Sequence, residues 1–261
     1  MSPILITIGN IEIRWYSIFI LLAFIIGIIL IEKEATKQGI DKLVISNICF
    51  YLILVCIIGA RLYYCLFNIE LYKENILDIF KIWEGGLAIH GGIIAGIILI
   101  IFYSHKYNIK LLKLLDIITI PLILGQALGR WGNFFNREAY GPITTYKYLK
   151  SIHIPKFIIN NMYINGNYHE PTFLYESIAC LIGLTILLII KCLFKRKDGK
   201  LTSIYFIIYG IIRLLIESLR QDSLMLGNFK VAQIISILMI IIGIILLIKV
   251  QRSNNDKQNM G

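Results

Sequence analysis

Apolar residues occur in long runs along the 261-residue chain, and short polar stretches separate these runs. Seven of the runs are long enough to cross a hydrocarbon core of about 30 Å, which takes about 20 helical residues. The pattern predicts spans at 15–31, 44–67, 87–103, 112–129, 172–193, 201–219 and 231–250. We therefore expect an all-α integral membrane protein with a single polytopic membrane domain over residues 1–252.

The distribution of charge predicts the orientation of this domain. The net charge is +10, and the basic residues lie mainly in short loops between apolar runs. An external N-terminus places most of them inside, including the cluster at 191–200, as the positive-inside rule requires. We expect the block at 195–197 to meet anionic lipid head groups, and we expect no binding of nucleic acid. The polar tail, residues 253–261, is predicted to be disordered and cytoplasmic.

The longest polar stretch, residues 131–170, lies between the fourth and fifth spans and faces outward in this orientation. It is rich in Gly, Asn, Tyr and Pro, and Tyr163–Asn167 has the composition of a hairpin turn. We therefore predict a small external subdomain inserted at 131–170.

The segment Gly129–Gly141 places an arginine, two amides and a carboxylate among glycines at the end of the fourth span. Arg130 offers a planar pair of donors to a phosphate, and Asn133 and Asn136 add neutral ones. The same residues are also consistent with a turn, a helix cap and a surface ion pair.

A second polar position, His90, lies inside the third span beside Gly91 and Gly92. A neutral imidazole there accepts a proton as a general base. The alternative is a hydrogen-bonded buried side chain, since Gly92-x-x-x-Gly96 is a helix-packing pattern.

Arginines also occur in the second and sixth spans, as Arg61 and Arg213. Arg213, Glu217 and Arg220 follow i, i+4, i+7 spacing and line one helix face. Two arginines against one carboxylate leave a positive surplus that an anionic ligand would neutralise, although a purely structural pair has the same spacing.

The start of the fifth span, Glu170–Ser177, has the proline and threonine of a helix start. Tyr175 and Glu176 either reach into a site or anchor the helix at the interface, and spacing does not decide between them. The five cysteines lie in or beside apolar runs without metal-ligand spacing, so we predict neither a metal nor a cofactor.

These four segments, taken in their order along the chain, resemble the bacterial phosphatidylglycerol–prolipoprotein diacylglyceryl transferases. Gly129–Gly141 resembles the family signature G-R-x-G-N-F-x-N-x-E-x-x-G at all eight fixed positions. Arg14-Trp15-Tyr16 and Gly59-Ala60-Arg61-Leu62 agree as well, and the resemblance covers roughly residues 10 to 250. Two positions depart from it: Glu170 stands where the family usually has histidine, with His169 one residue earlier, and Ser17 stands where glycine is common.

The resemblance implies transfer of the diacylglyceryl group of phosphatidylglycerol to the lipobox cysteine in the signal-peptide region of a prolipoprotein. It implies a multi-pass protein of the bacterial cell membrane. Arg130 and Arg213 are then expected to hold the phosphate, and His90 is the candidate base. Tyr16, a water molecule or the positive field alone are the alternatives to His90.

The resemblance also implies substrate-binding or gating roles for Asn133, Glu138, Gly141, Glu217 and Arg220, whereas Arg61 is expected to be structural. Since the nucleophile belongs to the substrate, no cysteine of this chain is expected to be catalytic. Three other classes compete with this hypothesis. A transporter or flippase for an anionic lipid would use the same arginines, an intramembrane serine hydrolase lacks its G-x-S-x-G motif here, and a scaffold gives no reason to bury arginines.

Overall fold

The computed structural model describes residues 2–9, 11–194, 197–221 and 223–258. Over these residues the helices are α1 (Trp15–Lys37), α2 (Lys42–Phe67), α3 (Ile89–Lys106), α4 (Leu111–Asn136), α5 (Tyr146–Ser151), α6 (Lys156–Asn161), α7 (Thr172–Leu193), α8 (Lys200–Leu219) and α9 (Val231–Gln258). All except the short α5 and α6 are long and apolar enough to cross a membrane. The prediction of an all-α protein with seven membrane spans is confirmed.

The strands are short and form three small antiparallel sheets. They are β1 (Ile4–Ile8), β2 (Ile11–Arg14), β3 (Ile143–Thr144), β4 (Tyr163–Ile164), β5 (Asn167–His169), β6 (Met225–Leu226) and β7 (Phe229–Lys230). The sheet orders are β1-β2, β3-β5-β4 and β6-β7. The hairpin predicted at Tyr163–Asn167 is confirmed: Asn165 and Gly166, both at positive φ, turn β4 into β5.

Two helices extend beyond their predicted ends. Helix α4 continues to Asn136, beyond the end near Gly129 that the apolar run predicts. Helix α9 continues to Gln258, whereas the sequence predicts disorder from Ser253. Predictions for Lys195 and Arg196 of the basic block, for Asp222 and for 259–261 lie outside the described residues.

The chain divides into two compact units, where the sequence predicts one membrane domain. The smaller unit is residues 30–114, in which α2 packs along α3. A Cβ on Gly91 would overlap the main-chain oxygen of Gly59, and one on Gly96 would lie 3.0 Å from Sγ of Cys56. This close approach supports the helix-packing interpretation of the glycines that follow His90.

The larger unit comprises residues 1–29 and 115–261. Its core contains apolar side chains of α4, α7 and α8, namely Ile123, Ala127, Cys180, Leu187, Tyr205, Ile212 and Ile216. Helix α9 packs on α8, where a Cβ on Gly210 would lie 2.9 Å from the main-chain oxygen of Ser236. The tight packing of these helices fixes the polar side chains that they carry.

The segment between α4 and α7 has a core of its own, in which the ring of Phe134 stacks on that of Phe173 with centroids 4.6 Å apart. Ile158, Met162 and Ile164 complete this core. The segment is therefore packed against the ends of α4 and α7 rather than forming a loose linker.

Candidate active site

A buried carboxylate joins two arginines inside the larger unit. Glu176 lies in the first turns of α7 and is 2% exposed. Its Oε1 atom is 2.8 Å from Nη2 of Arg130 on α4, and its Oε2 atom is 3.0 Å from Nη1 of Arg213 on α8. One carboxylate thus fixes two guanidinium groups that come from different helices, one on each oxygen.

A second carboxylate extends the network along α8. Nη2 of Arg213 lies 2.6 Å from Oε2 of Glu217, which is also 2% exposed. The same Oε2 atom is 3.9 Å from Nη1 of Arg220. We call Arg130, Glu176, Arg213, Glu217 and Arg220 the arginine network. The i, i+4 pairing of Arg213 with Glu217 is as predicted.

Arg220 does not lie on the helix face that the i+7 spacing suggests. Helix α8 ends at Leu219, and Arg220 has extended backbone angles, with φ −77° and ψ 139°. The main-chain oxygen of Arg220 accepts a 2.7 Å hydrogen bond from Nζ of Lys230, which also donates to the oxygen of Glu217. Lys230 therefore holds the end of α8 in place and with it the Glu217 and Arg220 side chains.

Arg130 is oriented by neutral groups as well as by Glu176. It donates a 3.2 Å hydrogen bond to Oδ1 of Asn133, one turn further along α4, and another to the hydroxyl of Tyr209 on α8. The side chains of Arg130 and Arg213 are 19% and 13% exposed, so both remain partly accessible. Such fixed planar donors suit a phosphate or another tetrahedral anion.

Tyr16 lies against the signature through its second glycine. A Cβ on Gly132 would lie only 2.7 Å from Cδ2 of Tyr16, so the absence of a side chain at residue 132 admits the tyrosine ring. The neighbouring Trp15 stacks on Phe135 with ring centroids 4.9 Å apart. The start of α1 therefore lies beside the end of α4. Tyr16 contacts α4 at Gly132, which is within one helical turn of Arg130 and Asn133.

The end of the signature leaves the helix. Arg137 and Ala139 have positive φ, and the exposed Glu138 accepts a 3.2 Å hydrogen bond from Asn136. Gly141 lies further on, where a Cβ would come within 2.9 Å of Cγ2 of Thr172. Glu138 and Gly141 thus occupy the turn that connects α4 to the external segment, whereas Arg130 and Asn133 belong to the helix.

His169 has a structural contact with the signature. Its Nδ1 atom lies 3.0 Å from the main-chain oxygen of Gly141, and its ring packs on Tyr140. The main-chain nitrogen of Gly141 donates to the oxygen of Glu170 at 2.9 Å. These contacts lie next to the pairing of β3 with β5. They fix the point at which the chain enters α7, and therefore the position of Glu176 in the first turns of that helix.

His90 lies in the smaller unit, in the first turn of α3. It is half-buried, and its ring centroid is 6.2 Å from that of Tyr63 on α2. The buried guanidinium of Arg61, also on α2, donates to the main-chain oxygens of Gly85 and Gly86, which precede α3. Arg61 therefore holds the segment that leads into His90, in agreement with its predicted structural role.

The sequence does not identify Glu176 and Tyr209 as members of the site. Glu176 occupies the fourth motif, where spacing does not separate an interior residue from an interface anchor. The excess of arginines within the spans is the one feature of the sequence that points to Glu176, because buried guanidinium groups need carboxylate partners. Across the part of the chain that the structure describes, no three His, Cys, Asp or Glu side chains are close enough to hold a metal ion.

Comparison with known proteins agrees with the motifs. The family model described as prolipoprotein diacylglyceryl transferase matches residues 3–249. A phosphatidylglycerol–prolipoprotein diacylglyceryl transferase of Listeria innocua is 43% identical over 248 residues, covering 95% of this chain and 89% of that protein. The protein of the same name from Ligilactobacillus salivarius is 42% identical, covering 92% and 90%. That from Streptococcus suis is 43% identical, covering 98% and 94%. The resemblance stated from the motifs is confirmed, and the chain belongs to the prolipoprotein diacylglyceryl transferase family.

Proposed function

We propose that this chain is the membrane transferase that moves the diacylglyceryl group of phosphatidylglycerol onto the lipobox cysteine of a prolipoprotein. The bond between the diacylglyceryl carbon and the phosphate oxygen breaks, and the cysteine sulfur takes that carbon in a thioether. The thiol proton goes to a base, and glycerol-1-phosphate leaves with the electron pair of the broken bond. The observation that carries the proposal is the arginine network, held by Glu176.

The leaving group explains why buried arginines are needed. The phosphate of the lipid carries one negative charge, and its charge rises as the carbon–oxygen bond breaks. Donors that are already fixed stabilise this charge without reorganisation in a site that excludes water. Glu176 and Glu217 keep Arg213 in place from two sides, at 3.0 and 2.6 Å, before any substrate binds. The guanidinium groups of Arg130 and Arg213 are thus already in place when the phosphate binds.

Each site residue receives a role from its position. Arg130 and Arg213 hold the phosphate through the accessible edges of their guanidinium groups, and Asn133 orients the glycerol head group. Glu217 and Arg220 organise and gate the site at the end of α8. Three residues lie at its border, with Tyr16 over Gly132 and with Glu138 and Gly141 in the turn that follows α4.

The proton of the thiol needs an acceptor, since a free cysteine has a pKa of about 8.5 and is mostly protonated at neutral pH. His90 is the proposed base, because it is a half-buried histidine in the first turn of a membrane span, where a neutral imidazole can accept a proton. The attacking sulfur comes from the prolipoprotein. Cys180, the cysteine closest in sequence to Glu176, is fully buried in the core of the larger unit and is assigned a packing role.

The proposed orientation places the N-terminus outside the bacterial cell membrane and the C-terminus in the cytoplasm. Lys37 and Lys42, which flank the loop at 38–41, then lie inside with Lys110 and the cluster at 191–200, as the positive-inside rule requires. The arginine network lies near the external ends of α4, α7 and α8. It thus meets both phosphatidylglycerol and the signal-peptide region of a prolipoprotein at the outer leaflet, and nucleic acid has no part in the function.

The test is a transfer assay with purified protein, phosphatidylglycerol radiolabelled in its diacylglyceryl part, and a lipobox peptide. Label on the peptide is expected with the wild type and is expected to vanish with Arg130→Ala and with a peptide whose cysteine is replaced by serine. Arg252→Ala, at an exposed position of α9, is the matched control and should retain activity. Movement of labelled lipid across vesicles without labelling of the peptide would instead identify a transporter for anionic lipid.

A further inference from the structure

The connection between spans α2 and α3 exposes an unusual amount of apolar surface. Residues 69–83, which we call the 69–83 segment, form 3-10 turns at Ile69–Tyr72 and Ile76–Phe80 and begin a third at Ile82–Glu84. Seven of its fifteen side chains are large, apolar and exposed, with exposed fractions from 44% to 77%: Ile69, Leu71, Ile76, Leu77, Phe80, Ile82 and Trp83. A loop that lay in water would not present such a surface.

Main-chain carbonyl groups in and just after this segment accept hydrogen bonds from one buried arginine. The guanidinium of Arg61, which is 6% exposed, donates to the oxygens of Asp78 at 2.6 Å and Ile79 at 2.8 Å. It also donates to the oxygens of Gly85 at 2.7 Å and Gly86 at 3.2 Å. Two carbonyl groups of the 69–83 segment and two that follow it are thereby paired without water. Irregular backbone requires this kind of pairing where water is scarce, as it is near the hydrocarbon of a bilayer.

We propose that the 69–83 segment lies in the head-group layer of the bilayer, with its apolar side chains at the boundary with the acyl chains. The proposal rests on the membrane spans and not on the transferase chemistry. Span α2 ends at Phe67 and span α3 begins at Ile89, so both ends of the connection are fixed at the same face of the membrane. A connection of this length, anchored at both ends, stays within reach of the lipid surface.

The side chains have the composition of an interfacial segment. Trp83 is 77% exposed and Phe80 is 73% exposed, and tryptophan in particular is enriched at the level of the head groups. Lys73 pairs with Glu70, and Lys81 pairs with Asp78 at 2.7 Å. These pairs neutralise charges of the segment, and the alkyl stems of the two lysines suit the apolar layer.

The interfacial position also sets the depth of His90. Arg61 contacts the segment and the glycines before α3, and a Cβ on Gly86 would lie 2.5 Å from its Nη1 atom. The nitrogen of Ala88 donates to the oxygen of Ala60 at 3.0 Å. The 69–83 segment and the start of α3 thus bond to Arg61 and Ala60 of α2, respectively. The position of the segment at the lipid surface therefore sets the depth of His90 in the membrane.

The experiment measures tryptophan fluorescence of the full-length protein in phosphatidylcholine–phosphatidylglycerol vesicles. Comparison of the wild type with Trp83→Phe isolates the emission of Trp83 from that of the two other tryptophans. We expect this difference emission to be blue-shifted, quenched at least twofold by lipids brominated near the head group, and insensitive to aqueous iodide. Quenching by iodide and not by brominated lipid would overturn the proposal.

A pair of matched variants tests the apolar contact itself. Ile76→Asp introduces a charge at a 68% exposed position of the segment, and Ile143→Asp does so at a 61% exposed position of β3. We expect Ile76→Asp to make Trp83 accessible to iodide and Ile143→Asp to leave it unchanged. Equal behaviour of the two variants would contradict lipid contact. Protection of Trp83 only after a lipobox peptide is added, or only in a dimer, would assign the surface to another occupant and overturn the proposal.

Discussion

Arg130 and Glu176 form a 2.8 Å ion pair between α4 and α7, two helices that the external segment separates along the chain. Glu176 also accepts hydrogen bonds from Arg213, the shorter one at its other oxygen, so this one carboxylate links the two arginines. The carboxylate therefore does two things at once. It partly neutralises two buried cations in the absence of substrate, and it keeps their outer edges aligned for a phosphate.

Replacing Glu176 with glutamine should destabilise the protein and make its stability depend on anionic lipid. The variant leaves two buried arginines with a neutral partner, and removal of one member of a buried ion pair typically costs about 3–5 kcal/mol. The phosphate of phosphatidylglycerol supplies the missing negative charge. The unfolding temperature should therefore be raised by phosphatidylglycerol, relative to phosphatidylcholine, and this increase should be larger in Glu176→Gln than in the wild type. Glu12→Gln, at an exposed ion pair with Arg14, is the control, and an equal response of all three proteins would contradict the role of Glu176.

Arg213→Lys should lower the turnover rate far more than Arg220→Lys. The planar guanidinium of Arg213 reaches Glu176 and Glu217 at the same time, and a single ammonium group cannot reproduce this geometry. Loss of one preorganised donor to a developing anion costs about 10²–10³-fold in kcat. Arg220 lies 3.9 Å from Glu217, and lysine keeps the positive charge there, so we predict the smaller loss for Arg220→Lys. Steady-state transfer kinetics measure both, and equal losses would argue against phosphate binding by Arg213.

Gly132→Ala should be destabilising only while Tyr16 is present. The added methyl group would lie 2.7 Å from Cδ2 of the ring, which must then move, and such overpacking costs about 1–3 kcal/mol. In a Tyr16→Ala background the methyl group meets no ring and should cost little. Denaturation of the four proteins of this double-mutant cycle gives the coupling free energy directly. A coupling near zero would mean that the glycine serves another purpose, such as direct approach of substrate.

His90→Gln should reduce the transfer rate by about 10²-fold or more if the imidazole accepts the thiol proton, since that is the usual contribution of a general base. His105→Gln, at the exposed opposite end of the same helix, is the matched control and should leave the rate unchanged. A His90→Gln variant with nearly wild-type rate would assign the proton to Tyr16, to water or to the positive field alone. The rate should be compared at saturating lipid, so that a change in binding is not mistaken for a change in chemistry.

The sequence predicts the membrane architecture well because length and hydrophobicity are local properties. All seven spans are present, and the error at α4 has a physical reason. The sequence predicts a polar stretch from Trp131, but in the structure Phe134 is buried, Trp131 and Phe135 are partly buried against the same core, and the helix continues to Asn136. The hairpin at Asn165 and Gly166 is predictable since both residues tolerate positive φ.

The site is only partly predictable, because its contacts join distant parts of the chain. Spacing along one helix predicts the pair of Arg213 with Glu217. No local pattern pairs Glu176 with Arg130, which depends on how α4, α7 and α8 pack. Likewise, the glycine at 132 suggests a close approach, but only the fold shows that the approaching group is Tyr16.

Asp116→Asn should destabilise the larger unit without altering the arginine network directly. Asp116 is buried on α4, where its carboxylate accepts hydrogen bonds from the main-chain nitrogens of Gly199 and Thr202, both at 2.8 Å, and from the Thr202 hydroxyl at 2.6 Å. It thereby caps the start of α8, the helix that carries Arg213 at its other end. Asparagine keeps one acceptor oxygen and turns an NH2 group toward donors, so about 1–3 kcal/mol should be lost. Thr202→Val removes only the hydroxyl donor and should cost less, since both main-chain bonds remain. Unfolding in denaturant measures both variants, and transfer activity should fall in proportion to the folded fraction. A specific loss of turnover in fully folded Asp116→Asn would show instead that this cap sets the position of Arg213.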